Sequence, residues 1–152
     1  MVLLHMRQAR ESDIGDILRL IADNDVARAR GDYALEASPE TRAAFQEIAA
    51  SADHELWVGE VDGRVAATAQ LSFMPGLARG GMKRAIVESV HVRADLRGRG
   101  YGQQLMTAMI ERAGARGARL LQLTSDRRRT DAHRFYERLG FEASHVGMKR
   151  FL

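Results

Sequence analysis

The apolar residues of this chain repeat with two periods, and the switches between the periods outline its elements. HMRQA (His5–Ala9) alternates and predicts a strand. Ser12 precedes a run with Ile14, Ile17, Leu18 and Ile21 on one helical face, which predicts a helix capped by Ser12. ARARGDYALEAS (Ala27–Ser38) breaks that pattern. Ser38 followed by Pro39 predicts a new helix start, a hydroxyl cap and then the residue whose fixed φ suits a first turn. Ala44, Phe45, Ile48 and Ala49 form its stripe. Glu55–Phe73 reads as two strands around Asp62-Gly63, a pair that tolerates the positive φ of a tight hairpin.

Met74–Arg84 is a glycine-rich loop, and AIVESVHV (Ala85–Val92) is another strand. A helix follows with Leu105, Met106, Met109, Ile110 and Ala113 on one side, ended by Gly114 and Gly117. Ala118–Ser125 reads as a buried strand. Asp131–Phe141 is a short helix whose stripe is Ala132, Phe135, Tyr136 and Leu139, stopped by Gly140. Residues 142–152, EASHVGMKRFL, close the chain as a final strand. The order is β-α-α-β-β-β-α-β-α-β. The strand–helix–strand unit across residues 85–125 requires two parallel neighbours joined by a right-handed crossover. The fold class is α+β (or α/β): one mixed sheet with helices on both faces, in a single domain over 1–152.

Composition narrows the function. The 152 residues suffice for one domain with a real core. No apolar run approaches the roughly 18 residues of a membrane span, and the start shows no basic segment or cleavage site, so no signal peptide is expected. There is no cysteine, which excludes disulfides, zinc–thiolate sites and cysteine nucleophiles and fits a cytoplasmic location. Charge is uneven: residues 1–76 carry 7 basic and 13 acidic side chains, residues 77–152 carry 16 and 7. The basic half suits nucleic acid or a phosphate-rich cofactor, although most of its arginines can equally be ordinary surface charge. No aromatic-rich strand motif or recognition helix accompanies it, which argues against nucleic acid.

RGRGYG (Arg97–Gly102) is the stretch that carries chemistry. It lies between a strand and a helix. A helix N-terminus presents unpartnered N–H groups and the positive end of the helix dipole. Glycines there remove the side chains that block an approaching anion and permit positive φ. Strand, then Gly98-Arg99-Gly100-Tyr101-Gly102, then helix therefore predicts a phosphate cradle, with Arg97 and Arg99 adding mobile charge. The P-loop pattern fails, because Gln103-Gln104 stand where it needs lysine and a hydroxyl residue. The dinucleotide pattern fails on spacing.

Arg97-x-x-Gly100-x-Gly102 after VESVHV resembles the R/Q-x-x-G-x-G/A signature of the GNAT superfamily of acyl-CoA-dependent N-acetyltransferases. AHRFYERLGF (Ala132–Phe141) resembles that family's A-x-x-F/L-Y-x-x-x-G-F signature, one strand further on, and the element order matches over essentially the whole chain. The resemblance implies parallel, splayed fourth and fifth strands and acetyl-CoA as co-substrate, without a metal. It implies that Val90, His91 and Val92 offer backbone groups to the pantetheine arm and that Arg97, Gly98, Arg99, Gly100, Tyr101 and Gly102 hold the pyrophosphate. The family often carries an asparagine three residues before the alanine of the second motif. Arg129 stands there, and Arg129, Ser125 or Asp131 is the replacement on offer.

Acetyl transfer to an amine needs a neutral amine, a polarised carbonyl and a proton for the leaving thiolate. No G-x-S-x-G and no cysteine point to a covalent route. The resemblance places Tyr136 near the cofactor sulfur, as the general acid; by periodicity alone it is a core residue. Glu88 is the candidate general base, a carboxylate in an apolar strand where burial would raise its pKa; a solvated or salt-bridged glutamate is the other reading. Alternation puts 88, 90 and 92 on one face and His91 on the other. His91 and His133 are secondary candidates, and His5, His54 and His145 are too scattered for a metal site.

The resemblance implies that Asp23–Glu36 and Met74–Arg84 line the acceptor site; the first holds Asp23, Asp25, Asp32, Glu36 and Tyr33, which would attract and stack on a cation, and an ordinary solvated acidic loop is the equal alternative. The function read from the sequence is acetyl transfer to a small primary amine. The alternatives are a protein N-terminus or lysine as acceptor, or a non-catalytic acyl-CoA-binding regulator. The expected partners are that amine and, at most, a second copy in a homodimer, with no nucleic acid and no membrane.

Overall fold

Five of the six predicted strands form one mixed sheet. The computed structural model describes residues 2–31 and 35–152. Strands β1 (His5–Gln8), β2 (His54–Val61), β3 (Arg64–Met74), β4 (Arg84–Val92) and β5 (Leu120–Gln122) lie side by side in sequence order. The first four pair antiparallel, and β5 runs parallel to β4. The helices are α1 (Ile14–Ala22), α2 (Asp25–Arg30), α3 (Pro39–Ala50), α4 (Ala78–Gly81), α5 (Tyr101–Ala115) and α6 (Thr130–Arg138). Asp62 and Gly63 make the hairpin, with φ of 50° and 70°.

Burial divides by strand parity. Ala67, Ala69 and Leu71 of β3 share a core with Leu105, Met106 and Met109 of α5. The other face is covered by α1 and α3, where Val58, Ile14, Ile17 and Leu20 are buried. Leu18 and Ile21, expected on that stripe, flank it half-buried.

Four expectations need correction. Ser12 does not cap α1; it sits in the 3₁₀ turn Glu11–Asp13. Asp13 stands at that position without a side-chain cap bond; its carboxylate instead accepts from Arg10 N (2.7 Å), across the 3₁₀ turn, and from both guanidinium nitrogens of Arg7. Gly114 lies inside α5, and Gly117 (φ 83°) ends it, with Ala118 N donating to Ala113 O. Strand β5 is three residues rather than eight, since only its start pairs with β4. Residues 142–152 form no strand: their alternation is strand-like, but no ladder partner takes their backbone groups. No described helix is long and apolar enough to cross a membrane.

One buried carboxylate locks α5 to β2. Glu55 accepts from Arg112 Nε (2.9 Å) and Nη2 (2.7 Å), from Arg116 Nη1 and from Trp57 Nε1 (2.9 Å). Burial pushes its carboxyl up, but the bonds from Arg112, Trp57 and Arg116 outweigh that and hold it below the ordinary range. Glu55→Ala should lower the unfolding free energy by about 2 kcal/mol in urea titrations at pH 7. The loss is smaller than the roughly 3–5 kcal/mol of fully buried pairs, since both arginines keep contact with water. Because the folded carboxyl titrates below the unfolded one, this stabilisation is present above about pH 4.5 and is lost as pH falls.

Candidate active site

Strand β4 outruns its neighbour. The parallel ladder joins Arg84 to Leu120, Ala85 to Leu121 and Ile86 to Gln122, and then ends. From Val87 to Val92 the outer edge of β4 is open among the described residues. Helix α5 starts just beyond, and α6 closes the far side.

Inside the opening, β4 bulges. Glu88 pairs with Gln70 and His91 with Thr68, so two residues of β4, Ser89 and Val90, oppose one of β3. Ser89 takes φ of 51°, the left-handed region that a residue with a side chain seldom adopts. The bulge reverses parity beyond it. Gln70 and Thr68 share a face, so Glu88 and His91 do too, the face of α1. The simple alternation expected from the sequence, with 88, 90 and 92 together, is therefore wrong. Glu88 is exposed, so the burial expected for it is missing as well. Neither departure was legible, because a serine at positive φ carries no marker in the sequence.

The glycine stretch forms the cradle. Gly98 and Gly100 take φ of 73° and 85°. Among the described residues no acceptor takes the amide protons of residues 98–103; the first amide in use is Gln104 N, which donates to Gly100 O at 3.1 Å. No atom stands within 4 Å of where a Cβ on Gly98 would lie. The side chain of Tyr101 is buried in the core, so only its amide faces the cradle. A Cβ on Gly102 would touch Phe135 at 3.5 Å, which shows how closely α6 approaches this turn.

Arg97 is not the mobile charge expected. Its Nε donates to Val92 O (3.0 Å) and its Nη2 to Asp23 O (2.5 Å), with Asp23 Oδ2 at 3.4 Å. Asp23 Oδ2 also accepts from Ala94 N at 3.1 Å. The pair ties the end of α1 to the entry of the cradle. Asp23 is thus occupied, rather than part of an open acidic wall. Arg99 is exposed, and no side-chain hydrogen bond or ion pair holds it among the described residues. Asp25 and Glu36 are exposed; Asp32 and Tyr33 lie outside the described residues. The Met74–Arg84 loop turns through α4, with Arg79, Gly80 and Gly81 at positive φ.

On α6, Tyr136 is buried edge-on between Phe135 (5.2 Å) and Phe141 (5.9 Å). Its hydroxyl makes no hydrogen bond among the described residues. Burial raises the phenol above its ordinary pKa, and the charge of Arg129 opposes the rise. Arg129 is half-buried and, among the described residues, has no hydrogen-bond or ion-pair partner for its guanidinium. Ser125 Oγ, in the preceding loop, is buried without a partner. Asp131 is spent on Arg134. His133 Nε2 lies 2.9 Å from Asp126 O, which fixes its proton on that nitrogen. A surface cleft of about 630 Å³ opens beside α1 and reaches Asp23 and Arg93 but neither Tyr136 nor Glu88. No cluster of metal-ligating side chains occurs among the described residues.

The model of the acetyltransferase (GNAT) family matches residues 16–141, a span that holds both the cradle and α6. The chain belongs to that family. A solved structure named as a transcriptional regulator from Bacillus halodurans C-125 is 38% identical, covers 98% of this chain and 99% of its own, and superposes with a TM-score of 0.93. L-methionine sulfoximine/L-methionine sulfone acetyltransferase of Pseudomonas aeruginosa is 39% identical over 64 residues, 42% of this chain and 37% of its own. Aminoalkylphosphonate N-acetyltransferase of Salmonella typhimurium is 39% identical over 66 residues, 43% of each chain. The chain thus matches under half the length of these two curated relatives.

His91 lies on β4 beyond the end of the parallel ladder and is half-buried. Burial, then the Arg129 and Arg97 charges, push its imidazole down to about 4, against the pull of Asp23. It is neutral at pH 7. An unfolded histidine takes a proton near pH 6.5, so the native state is disfavoured as pH falls from about 6.5 towards 4. The imidazole resonances of His91 should show no midpoint above pH 5 in an NMR titration. His91→Gln should flatten the decline of stability across the same window.

Proposed function

We propose that this chain moves an acetyl group from acetyl-CoA to the primary amine of a small molecule, by direct attack of the amine with both substrates bound. The observation that carries the reading is the run of free amides at residues 98–103, at the positive end of α5 and beside an open strand edge. That arrangement fits a diphosphate followed by an amide-bearing arm. Acetyl-CoA, when bound, supplies an acetyl thioester that amines can attack.

The residues divide the work. The amides of Gly98, Arg99, Gly100, Tyr101 and Gly102 bind the diphosphate. Arg97 holds the loop in shape rather than touching the anion, and Arg99 and Arg129 are the unpaired cations that face it. The open edge at Val90, His91 and Val92 receives the arm, although Val92 O already accepts from Arg97. Ser125 Oγ is a buried hydroxyl in want of a partner, as a neutral amide group would be. Tyr136 Oη donates its proton to the leaving thiolate. Glu88, on the α1 face, accepts the proton of the incoming ammonium. His91 beside it is neutral and so adds no charge to repel that ammonium. The names of the two curated relatives support a small-molecule acceptor. Holding both substrates in one groove supplies the remaining advantage, several kcal/mol in favourable cases.

A second reading has one observation in its favour: the relative that covers the whole chain at 38% identity is named as a transcriptional regulator. On that reading the chain binds acyl-CoA without turning it over. One experiment separates the two. Thiol release is followed with acetyl-CoA against polyamines, amino acids, aminophosphonates, aminoglycosides and peptides, while calorimetry reads cofactor binding. Release with a small amine is the expected result. Binding without release from any amine would favour the regulator, and absence of binding would remove both.

Variants then test the roles. Tyr136→Phe should lower turnover by roughly 10²-fold with cofactor affinity unchanged, and a wild-type rate would return Tyr136 to the core. Glu88→Gln should cost one to three orders of magnitude at pH 7, shrinking at high pH where free amine is abundant. Valine at Gly100 is a poor probe of the cradle, since φ of 85° would strain the loop itself. Arg129→Gln is cleaner: coenzyme A affinity should fall about tenfold at low ionic strength, and less in 0.5 M salt, where screening already weakens the contact.

A further inference from the structure

Asp23 ends α1, where the helix dipole favours cations and opposes a carboxylate. Its partners account for its place. Oδ2 accepts from Ala94 N (3.1 Å) and lies 3.4 Å from Arg97 Nη2, and the main-chain oxygen accepts from Arg97 Nη2 at 2.5 Å. Oδ1 lies 3.6 Å from Arg28 Nη2, on α2. The main-chain N–H donates to Arg19 O at 3.0 Å. One half-buried carboxylate therefore holds the turn that leads into the cradle with one oxygen and α2 with the other.

Helix α2 needs that hold. None of its described side chains is fully buried, and Val26 alone among them is half-buried. A six-residue helix does not persist on its own propensity. Arg28 Nε donates to Ala22 O (2.7 Å) and Asn24 Oδ1 accepts from Val26 N (3.0 Å), so polar contacts attach the helix at its base. On the other side, Arg97 Nε donates to Val92 O (3.0 Å), on the open edge of β4. The path from Arg28 through Asp23 and Arg97 thus joins α2 to the residues that flank the cradle.

We propose that Asp23 is a positioning residue that couples the cradle to α2: coenzyme A on the amides of residues 98–103 steadies the turn and, through Asp23, seats α2 against the end of α1. This rests on the proposed binding of coenzyme A at that turn. Coupling is reciprocal, so a seated α2 strengthens coenzyme A binding by the factor with which coenzyme A steadies α2.

Amide exchange, followed by mass spectrometry over residues 24–31, should slow about threefold in the wild type when coenzyme A saturates it. Asp23→Ala should lose that protection, and calorimetry should show coenzyme A binding about fivefold weaker. Asp23→Asn keeps an oxygen for Ala94 N and should recover most of both effects. Arg28→Gln alters an exposed side chain that does not touch the turn, which keeps the test sharp if the Asp23 variants fail to fold. It should abolish the protection and weaken coenzyme A binding by roughly threefold, the same factor. Protection that persists in Asp23→Ala or Arg28→Gln would overturn the inference, as would wild-type exchange that ignores bound coenzyme A. Failure of coenzyme A to bind the wild type at all would overturn the proposed function, and this inference with it.

Discussion

The parallel ladder between β4 and β5 ends after three residue pairs, and the site depends on that ending. A strand pair that stayed together to Val92 would satisfy the edge of β4 and leave no gap in the sheet. The ladder instead stops at Ile86, and the bulge at Ser89 and Val90 turns β4 further out of register. Two sets of unsatisfied backbone groups then face one space: the free edge of β4 and the first turn of α5. Unpaired backbone groups in a folded protein are costly unless water or a ligand takes them. That two such sets adjoin is a stronger indication of a ligand than either alone. α6 adds the remaining wall, with Phe135 packed beside the turn at Gly102.

Charge in this region is arranged by pairing more than by number. Four arginines stand within residues 93–99 and 129, yet Arg93 is held by Asp95 and Arg97 by Asp23. Arg99 and Arg129 have no side-chain partner among the described residues. The Asp23–Arg97 contact also links the corner after α1 to the turn that leads into α5. It is solvent-exposed, and its worth as an ion pair is small. Its value lies in geometry: three hydrogen bonds from residues 94 and 97 place a turn more than seventy residues away.

Much of the fold was legible in sequence because its signals are local. Asp62-Gly63 marks its hairpin, Ser38-Pro39 its helix start, and the spacing of Leu105, Met106 and Met109 the face of α5. The turn from β4 into α5 was legible for the same reason, since glycines at a strand–helix junction are a backbone requirement written in residue type, and Gly98 and Gly100 do take positive φ. Apart from the helix ends at Ser12 and Gly114, the misreadings are non-local. Strand pairing decides that β5 stops at Gln122, and no residue there announces it. Serine at φ of 51° leaves no trace in sequence, so the shared face of Glu88 and His91 was hidden. Arg97 looked free because its partner, Asp23, is remote along the chain. Residues 142–152 carry a strand's alternation, but a strand exists only with a partner, and one copy of the chain does not provide it.

In the proposed transfer, Arg129 would let the phenol of Tyr136 meet two opposed demands. An acid must hold its proton until the leaving group needs it, and must then survive as an anion. Burial between Phe135 and Phe141 serves the first demand by raising the phenol's pKa, and works against the second. A neutral asparagine, common at this place in the family, supplies hydrogen bonds but no compensating charge. The unpaired guanidinium of Arg129 does supply it, and pulls the pKa of Tyr136 back down. The same charge helps keep His91 neutral across the gap. One substitution therefore tunes the groups on both walls, and favours negative charge in the space between them.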